Sequence, residues 1–237
     1  MRRVALITGA SRGLGATLAE FLARQGYDLI TTARGHEPLE RAAQTLSGRG
    51  GKVVAIAGDV ADDEHRRRLV AAAESLGRLD LLVNNASTLG ATPLPGLADY
   101  PLNDLENVFV VNVLAPLALT QLALPLLTAS KGLIVNLSSD AAVGGYPGWG
   151  GYGASKAALD LITLTLADEL RGVGVVAVDP GDMRTEMHQL AFPGEDISDR
   201  PLPDVTLPFW AWLLGQDPMA VSGRRFRAQG ETWEVAA

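Results

Sequence analysis

The chain has 237 residues, 47% hydrophobic and 20% charged, which is enough apolar material for a sizeable core and too little charge for a disordered polymer. Its net charge of −7 argues against a nucleic-acid partner, because phosphate backbones call for a positive surface. The absence of cysteine excludes disulfides, thiol nucleophiles and Cys-ligated metals.

In chain order, the apolar run Val4 to Ile7 is too short for a signal-peptide core and reads as a buried strand over 3–8. A glycine-rich turn follows, then a helical pattern over 13–25, a strand over 27–33, a helix over 36–47 and a strand over 52–57. The next helix, 62–76, carries Arg66, Arg67 and Arg68 beside Asp62, Asp63 and Glu64, and these are expected to form a solvated face. A strand over 79–83, a long helix over 102–128, a strand over 132–138, a helix over 152–171 and a strand over 174–179 complete the alternation. After Pro180, the prolines at 193, 201, 203 and 208 mark a helix-poor excursion over 183–208, and a last strand over 223–228 closes the sheet edge.

The strands are near-continuously apolar, as strands covered on both faces must be. Alternation with helices then predicts an α/β protein: a single doubly wound parallel sheet of about seven strands with helices on both faces, in one domain over 1–237. Asn, Thr, Gln or Pro interrupt the longest apolar segments, so no membrane span and a cytoplasmic setting are expected. His36, His65 and His188 are scattered without ligand spacing, so no metal site is expected and they are assigned to surface or packing roles.

Thr8-Gly9-Ala10-Ser11-Arg12-Gly13-Leu14-Gly15 lies between the first strand and the first helix. Glycines there permit a tight turn and let backbone N–H groups approach a pyrophosphate at the positive end of the helix. The spacing, G-x-x-x-G-x-G, differs from the generic G-x-G-x-x-G, and position in the strand–loop–helix order carries the argument. An acidic residue about 20 positions on would bind a ribose 2′-hydroxyl. The second strand instead ends Thr31-Thr32-Ala33-Arg34, with Asp28 at its other end. Arg34, with Arg12 second, suits a 2′-phosphate, so NADP(H) is the expected cofactor. The competing reading is two surface arginines in a chain with 17 arginines and three lysines.

Tyr152 and Lys156, four apart, share a helix face. A tyrosine with a pKa of roughly 10 is a poor acid–base group at neutral pH, and a nearby ammonium is expected to lower it. Alone, Y-x-x-x-K also fits an ordinary amphipathic helix.

The combination of Thr8-Gly9 through Gly15, Asn84-Asn85-Ala86, Asn112, Ser138-Ser139, Tyr152-Gly153-Ala154-Ser155-Lys156 and Pro180-Gly181 with Thr185 resembles, in order and spacing, the short-chain dehydrogenase/reductase family, whose fold is of the Rossmann type. That resemblance implies that Tyr152 exchanges a proton with the substrate oxygen, Ser139 hydrogen-bonds that oxygen, and Lys156 tunes the tyrosine and binds the nicotinamide ribose. It implies that Asn112 holds a water linking Lys156 to solvent. It assigns cofactor contacts to Gly9, Ser11, Arg12, Gly13, Leu14, Gly15, Arg34, Asp59, Val60, Asn85, Ala86, Tyr152, Lys156, Pro180, Gly181 and Thr185. Ser87 stands where the family usually has glycine, and Asp59 reads either as an adenine contact or as a helix N-cap.

Loops 87–98, 140–151 and 183–208 should surround a small carbonyl or alcohol substrate beyond the strand ends. Asp140, Tyr146 and Trp149 are expected to contact it with Ser139 and Tyr152, and Leu89, Val143, Met187 and Phe192 to complete the wall. Helices 102–128 and 152–171 are apolar on most sides, which predicts a homodimer or homotetramer. The expected activity is carbonyl reduction or alcohol oxidation with NADP(H). The alternative is an NADP(H)-binding regulatory protein without redox turnover. A Ser-His-Asp hydrolase is disfavoured because it would need a histidine brought to Ser139, and Ser139 does not lie in a G-x-S-x-G elbow.

Overall fold

The computed structural model describes residues 1–46, 51–230 and 232–234. Strands β1 (Val4–Thr8), β2 (Asp28–Ala33), β3 (Val53–Ala57), β4 (Leu81–Asn84), β5 (Leu133–Leu137), β6 (Gly174–Asp179) and β7 (Arg225–Arg227) form one parallel sheet in the order β3-β2-β1-β4-β5-β6-β7. From β1 the chain winds outward to β3, then returns to build β4 to β7 on the other side. The strand order therefore reverses between β1 and β4, and a crevice opens beyond their carboxyl ends.

Helices α1 (Gly13–Arg24) and α2 (His36–Leu46) cover one face, and α3 (Asp63–Leu76) covers the other. The period-2 geometry of β1 shows how each face is filled. Ala5 and Ile7 point to a cluster with Leu14, Leu18 and Leu22 of α1 and Leu39 of α2. Val4 and Leu6 point to a second cluster with Leu69 and Ala73 of α3. Helix α5 (Ala115–Ser130) adds Leu119, Ala123 and Leu127 to that second cluster, and α6 (Gly150–Glu169) packs Leu166 and Ala167 against it.

The expected strands and long helices are present, with ends shifted by one or two residues; position 47 of the second expected helix lies outside the described residues. Three short helices were not expected: α7 (Glu186–Ala191), α8 (Leu207–Leu213) and α9 (Pro218–Val221). Pro208, one of the prolines that mark the excursion, sits in the first turn of α8, and Pro218 opens α9, positions where no amide donor is required.

The helix expected over 102–128 runs as α4 (Leu102–Phe109), a π-helical turn (Val110–Leu114) and α5. Pro116 has no N–H, so in an α-helix the carbonyl of Asn112, four residues earlier, would lose its donor and meet the proline ring. The wider turn accommodates that conflict. Two expectations are corrected here. Leu102–Ser130 forms one continuous 29-residue helix long and apolar enough to span a membrane, although it was read as too interrupted. Val108, Asn112, Val113, Leu119, Ala123 and Leu127 are buried, as in a core helix packed on a sheet. Arg66 is not part of a solvated face: it is buried and donates to the Val60 carbonyl at 2.6 Å, tying α3 to the loop after β3, while Arg67 and Arg68 are exposed.

Candidate active site

The glycine loop is folded on itself at the mouth of the crevice. Gly9 (φ +69°) and Gly13 (φ +53°) adopt left-handed backbone that side chains disfavour. A Cβ at Gly15 would collide with the Gly9 carbonyl and approach Asn85 Nδ2 to 2.6 Å. Thr8 Oγ1 accepts from the amides of Asn85 and Ala86, both at 2.9 Å, and Asn85 Nδ2 donates to the Thr8 carbonyl at 2.8 Å. These bonds lock the end of β1 to the end of β4. Asn84 donates to Asn136 at 2.8 Å, and Asn136 to Thr163 of α6 at 2.8 Å, a buried polar line that fixes α6 on the sheet.

A cleft of about 1120 Å³ runs from this loop across the strand ends. Ser11, Arg12, Gly13, Leu14, Arg34, Asp59 and Val60 line one part of it, and Asn85, Ala86, Tyr152, Lys156, Pro180 and Thr185 another. Asp59 is not the cap of α3: Asp62 fills that role by accepting from the Glu64 amide, while Asp59 accepts from Ala61. Arg12 is exposed and ion-paired with Glu186 of α7. Gly181 (φ +73°) turns toward Gln229 and is not in the cleft wall. Arg41 of α2 lines the same end as Arg34 and was missed; a second cation one residue past the first turn and a half of the helix after β2 was the available signal.

β5 leads into Ser138, which lines the cleft, and Ser139 beside it. Ser139 Oγ caps the 3₁₀ turn Asp140–Ala142 by accepting from the Ala141 amide at 3.2 Å, and it donates to Asp140 Oδ1 at 3.0 Å. Tyr152 and Lys156 are buried on α6, one turn apart. The Tyr152 hydroxyl faces the hydroxyls of Ser139 and Ser87. Ser87, in the usual glycine position, also donates to Asn112 Oδ1 at 3.0 Å, so it joins the constellation rather than merely altering a loop.

The expected lowering of the Tyr152 pKa is not what the structure gives. Burial disfavours the phenolate and pushes its pKa up, against the neighbouring hydroxyls of Ser139 and Ser87, which act the other way. Lys156 donates to the Leu137 carbonyl at 2.7 Å, and burial lowers its pKa to about 8, opposed by the charge of Asp160. Asn112 is buried in the π-turn with its side chain fully engaged. It donates to the Thr88 carbonyl (2.9 Å) and Ser155 Oγ (3.0 Å) and accepts from the Thr88 amide (2.8 Å) and Ser87.

Of the expected substrate wall, Leu89 and Met187 line the cleft. Trp149 packs edge-on against Tyr152, with ring centres 5.7 Å apart, and against Phe192. Asp140, Val143 and Tyr146 are exposed, and the charge of Asp140 raises the Tyr146 pKa. His65 is buried against Thr32, 2.7 Å away, and His188 lies against Phe192, while His36 is on the surface. Among the described residues no cluster of potential metal ligands occurs.

Residues 3–196 match the family model described as short chain dehydrogenase. An uncharacterized oxidoreductase of Escherichia coli K12, YciK, is 34% identical over 233 residues, covering 96% of this chain and 92% of its own. Mouse sepiapterin reductase is 36% identical over 201 residues, covering 79% and 77%. A Shigella flexneri short chain dehydrogenase solved in complex with NADP superposes with a TM-score of 0.87 at 33% identity, covering 96% of this chain and 97% of that one.

Proposed function

The chain belongs to the short-chain dehydrogenase family of oxidoreductases, and on that premise we propose that it interconverts a carbonyl and a secondary alcohol with NADP(H), Tyr152 handling the proton. The observation that carries this reading is the meeting of the Tyr152 hydroxyl with Ser139, over a buried Lys156, beside a cleft that begins at the glycine loop.

The donor set fits an anionic dinucleotide. The N-terminal amides of α1 lack a side-chain cap, and Gly9, Ser11, Gly13, Leu14 and Gly15 line the cleft where a pyrophosphate would lie. Arg34, Arg41 and Arg12 would hold the 2′-phosphate, and Asp59 with Val60 the adenine side. Asn85, Ala86, Pro180 and Thr185 would contact the nicotinamide half, with Lys156 on its ribose. The NADP bound to the Shigella relative supports the same choice. Bound there, the nicotinamide would supply or accept the hydride.

Tyr152 gives its proton to the substrate oxygen in reduction and recovers it in oxidation. Burial that raises its pKa keeps it protonated at neutral pH, as a donor must be. Ser139 turns its hydroxyl from Asp140 to the substrate oxygen and holds it. Lys156, charged below about pH 8, stabilises negative charge on the phenol and returns protons to it. The Asn112 carbonyl, whose α-helical donor position is Pro116, accepts the water that links Lys156 to solvent. Leu89, Met187 and Trp149 offer the substrate an apolar wall. Exposed Leu102, Leu114, Leu161 and Leu164 support a homo-oligomer built on α4 to α6. The complete set of Asn112, Ser139, Tyr152 and Lys156 supports an enzyme over a cofactor-binding regulator.

The test is Tyr152→Phe, which keeps the ring and removes the hydroxyl. NADPH binding, followed by fluorescence, should stay near wild type while turnover in a ketone and alcohol panel falls roughly a hundredfold to ten-thousandfold. Near wild-type turnover in that variant would refute the assignment. A wild type that binds NADPH and reduces nothing would favour the regulator.

A further inference from the structure

β7 carries two arginines, Arg225 and Arg227, and Arg225 turns inward. Arg225 Nε donates to Asp160 Oδ2 of α6 at 3.0 Å, and its Nη2 donates to the Ser139 carbonyl at 2.6 Å and to Asp179 Oδ2 at 3.2 Å. The three side chains are largely buried, with exposures of 23% for Arg225, 15% for Asp160 and 6% for Asp179. One guanidinium therefore joins three segments of the candidate site. Asp160 is one helical turn past Lys156 and two past Tyr152, on the same face of α6. Asp179 ends β6, and its Oδ1 accepts from the Gly181 amide at 3.0 Å, setting the turn after Pro180. Among the described residues, the Ser139 carbonyl is also held within the local turn, by the Ala142 amide at 3.0 Å.

A fork of fixed, planar donors suits this task, since an ammonium on a flexible stem cannot span a carbonyl and two carboxylates together. The charges also close locally: Lys156 and Arg225 are balanced by Asp160 and Asp179. We propose that Arg225 is a positioning residue for the reaction, holding Ser139 after β5 in register with the Tyr152–Lys156 face of α6 from the far edge of the sheet. It does not touch the substrate; it acts through Ser139. This rests on Ser139 and Tyr152 being the reacting groups.

Arg225→Gln and Arg225→Lys are compared with wild type in the intact protein, each also in a Ser139→Ala background. In both Arg225 variants kcat falls roughly tenfold to a hundredfold with KM and NADPH affinity within about twofold, because misplacement affects the transition state more than binding. Arg225→Lys keeps a cation beside the carboxylates and so retains the melting temperature while still losing kcat, which separates positioning from stability. If Arg225→Gln does not fold, Arg225→Lys carries the comparison alone.

In the Ser139→Ala background neither substitution lowers kcat further by more than about twofold, the non-additivity expected of groups that act as a unit. Amide exchange at Ala142, which shares the Ser139 carbonyl with Arg225, speeds by about tenfold as that turn loosens. Unchanged kcat in Arg225→Lys, losses that add to that of Ser139→Ala, or unchanged exchange at Ala142 would each overturn the proposal. Wild-type kcat in Ser139→Ala alone would instead remove the catalytic reading beneath it, and the exchange measurement would still decide whether Arg225 holds the turn.

Discussion

The Lys156 ammonium lies 5.4 Å from the centre of the Tyr152 ring and donates to the Leu137 carbonyl, so the two residues meet across the ring rather than at the hydroxyl. The sequence spacing alone suggests a lysine that pulls the tyrosine pKa down. In the folded chain, burial acts on both groups and favours their neutral forms, raising the tyrosine and lowering the lysine. The pair is thus poised as a protonated phenol above a lysine that titrates near the pH of ordinary experiments.

That poise has a stability signature. Lys156 titrates at about 8 when folded and at its ordinary 10.5 when unfolded, so between these values the unfolded chain holds a proton that the folded chain lacks. Stability from this group therefore rises with pH, by about 2 kcal/mol between pH 7 and 9.5. Urea melts of wild type and Lys156→Met at both pH values should show the wild type gaining that much on the variant. Parallel curves would mean that Lys156 titrates normally.

Arg34→Asp should exchange cofactor preference. A carboxylate repels a 2′-phosphate and accepts a ribose hydroxyl, and one charge-assisted hydrogen bond is worth roughly 1.5–3 kcal/mol, about tenfold to a hundredfold in affinity. Fluorescence titration with NADPH and NADH gives the ratio directly. A ratio that does not move would return Arg34 to the surface and leave Arg41 as the next residue to change.

Gly15→Ala tests whether the loop must close on itself. In an ordinary helix this change helps by roughly 0.5–1 kcal/mol. Here the new methyl meets the Gly9 carbonyl and Asn85, so it should cost about 1–3 kcal/mol and weaken NADPH binding about tenfold or more. A more stable variant with normal NADPH affinity would contradict the observed loop.

Leu161 and Leu164 are exposed on α6, at 66% and 48%, beyond what contact with the sheet requires. Light scattering at micromolar concentration should give more than one chain per particle, and Leu161→Asp with Leu164→Asp should yield monomers. A monomeric wild type would remove the assembly claim and leave the catalytic reading intact.

Several features were legible in the residues themselves. Near-continuous apolar runs such as Val4 to Ile7 and Gly174 to Val178 announced buried parallel strands, and helical periods between them gave the layers, because burial and backbone period act locally along the chain. The glycine loop and the Tyr152–Lys156 pair were equally visible, each being set by short-range spacing. Tertiary structure alone decided the rest. The burial of Arg66, the joining of Ser87 to Asn112 and Tyr152, the placing of Arg41 along the cleft and the reach of Arg225 to Ser139, 86 positions earlier, are long-range or environmental facts. The direction of the Tyr152 shift belongs with them, since spacing shows which charge is near but not how much water the fold removes, and desolvation outweighs the neighbouring groups.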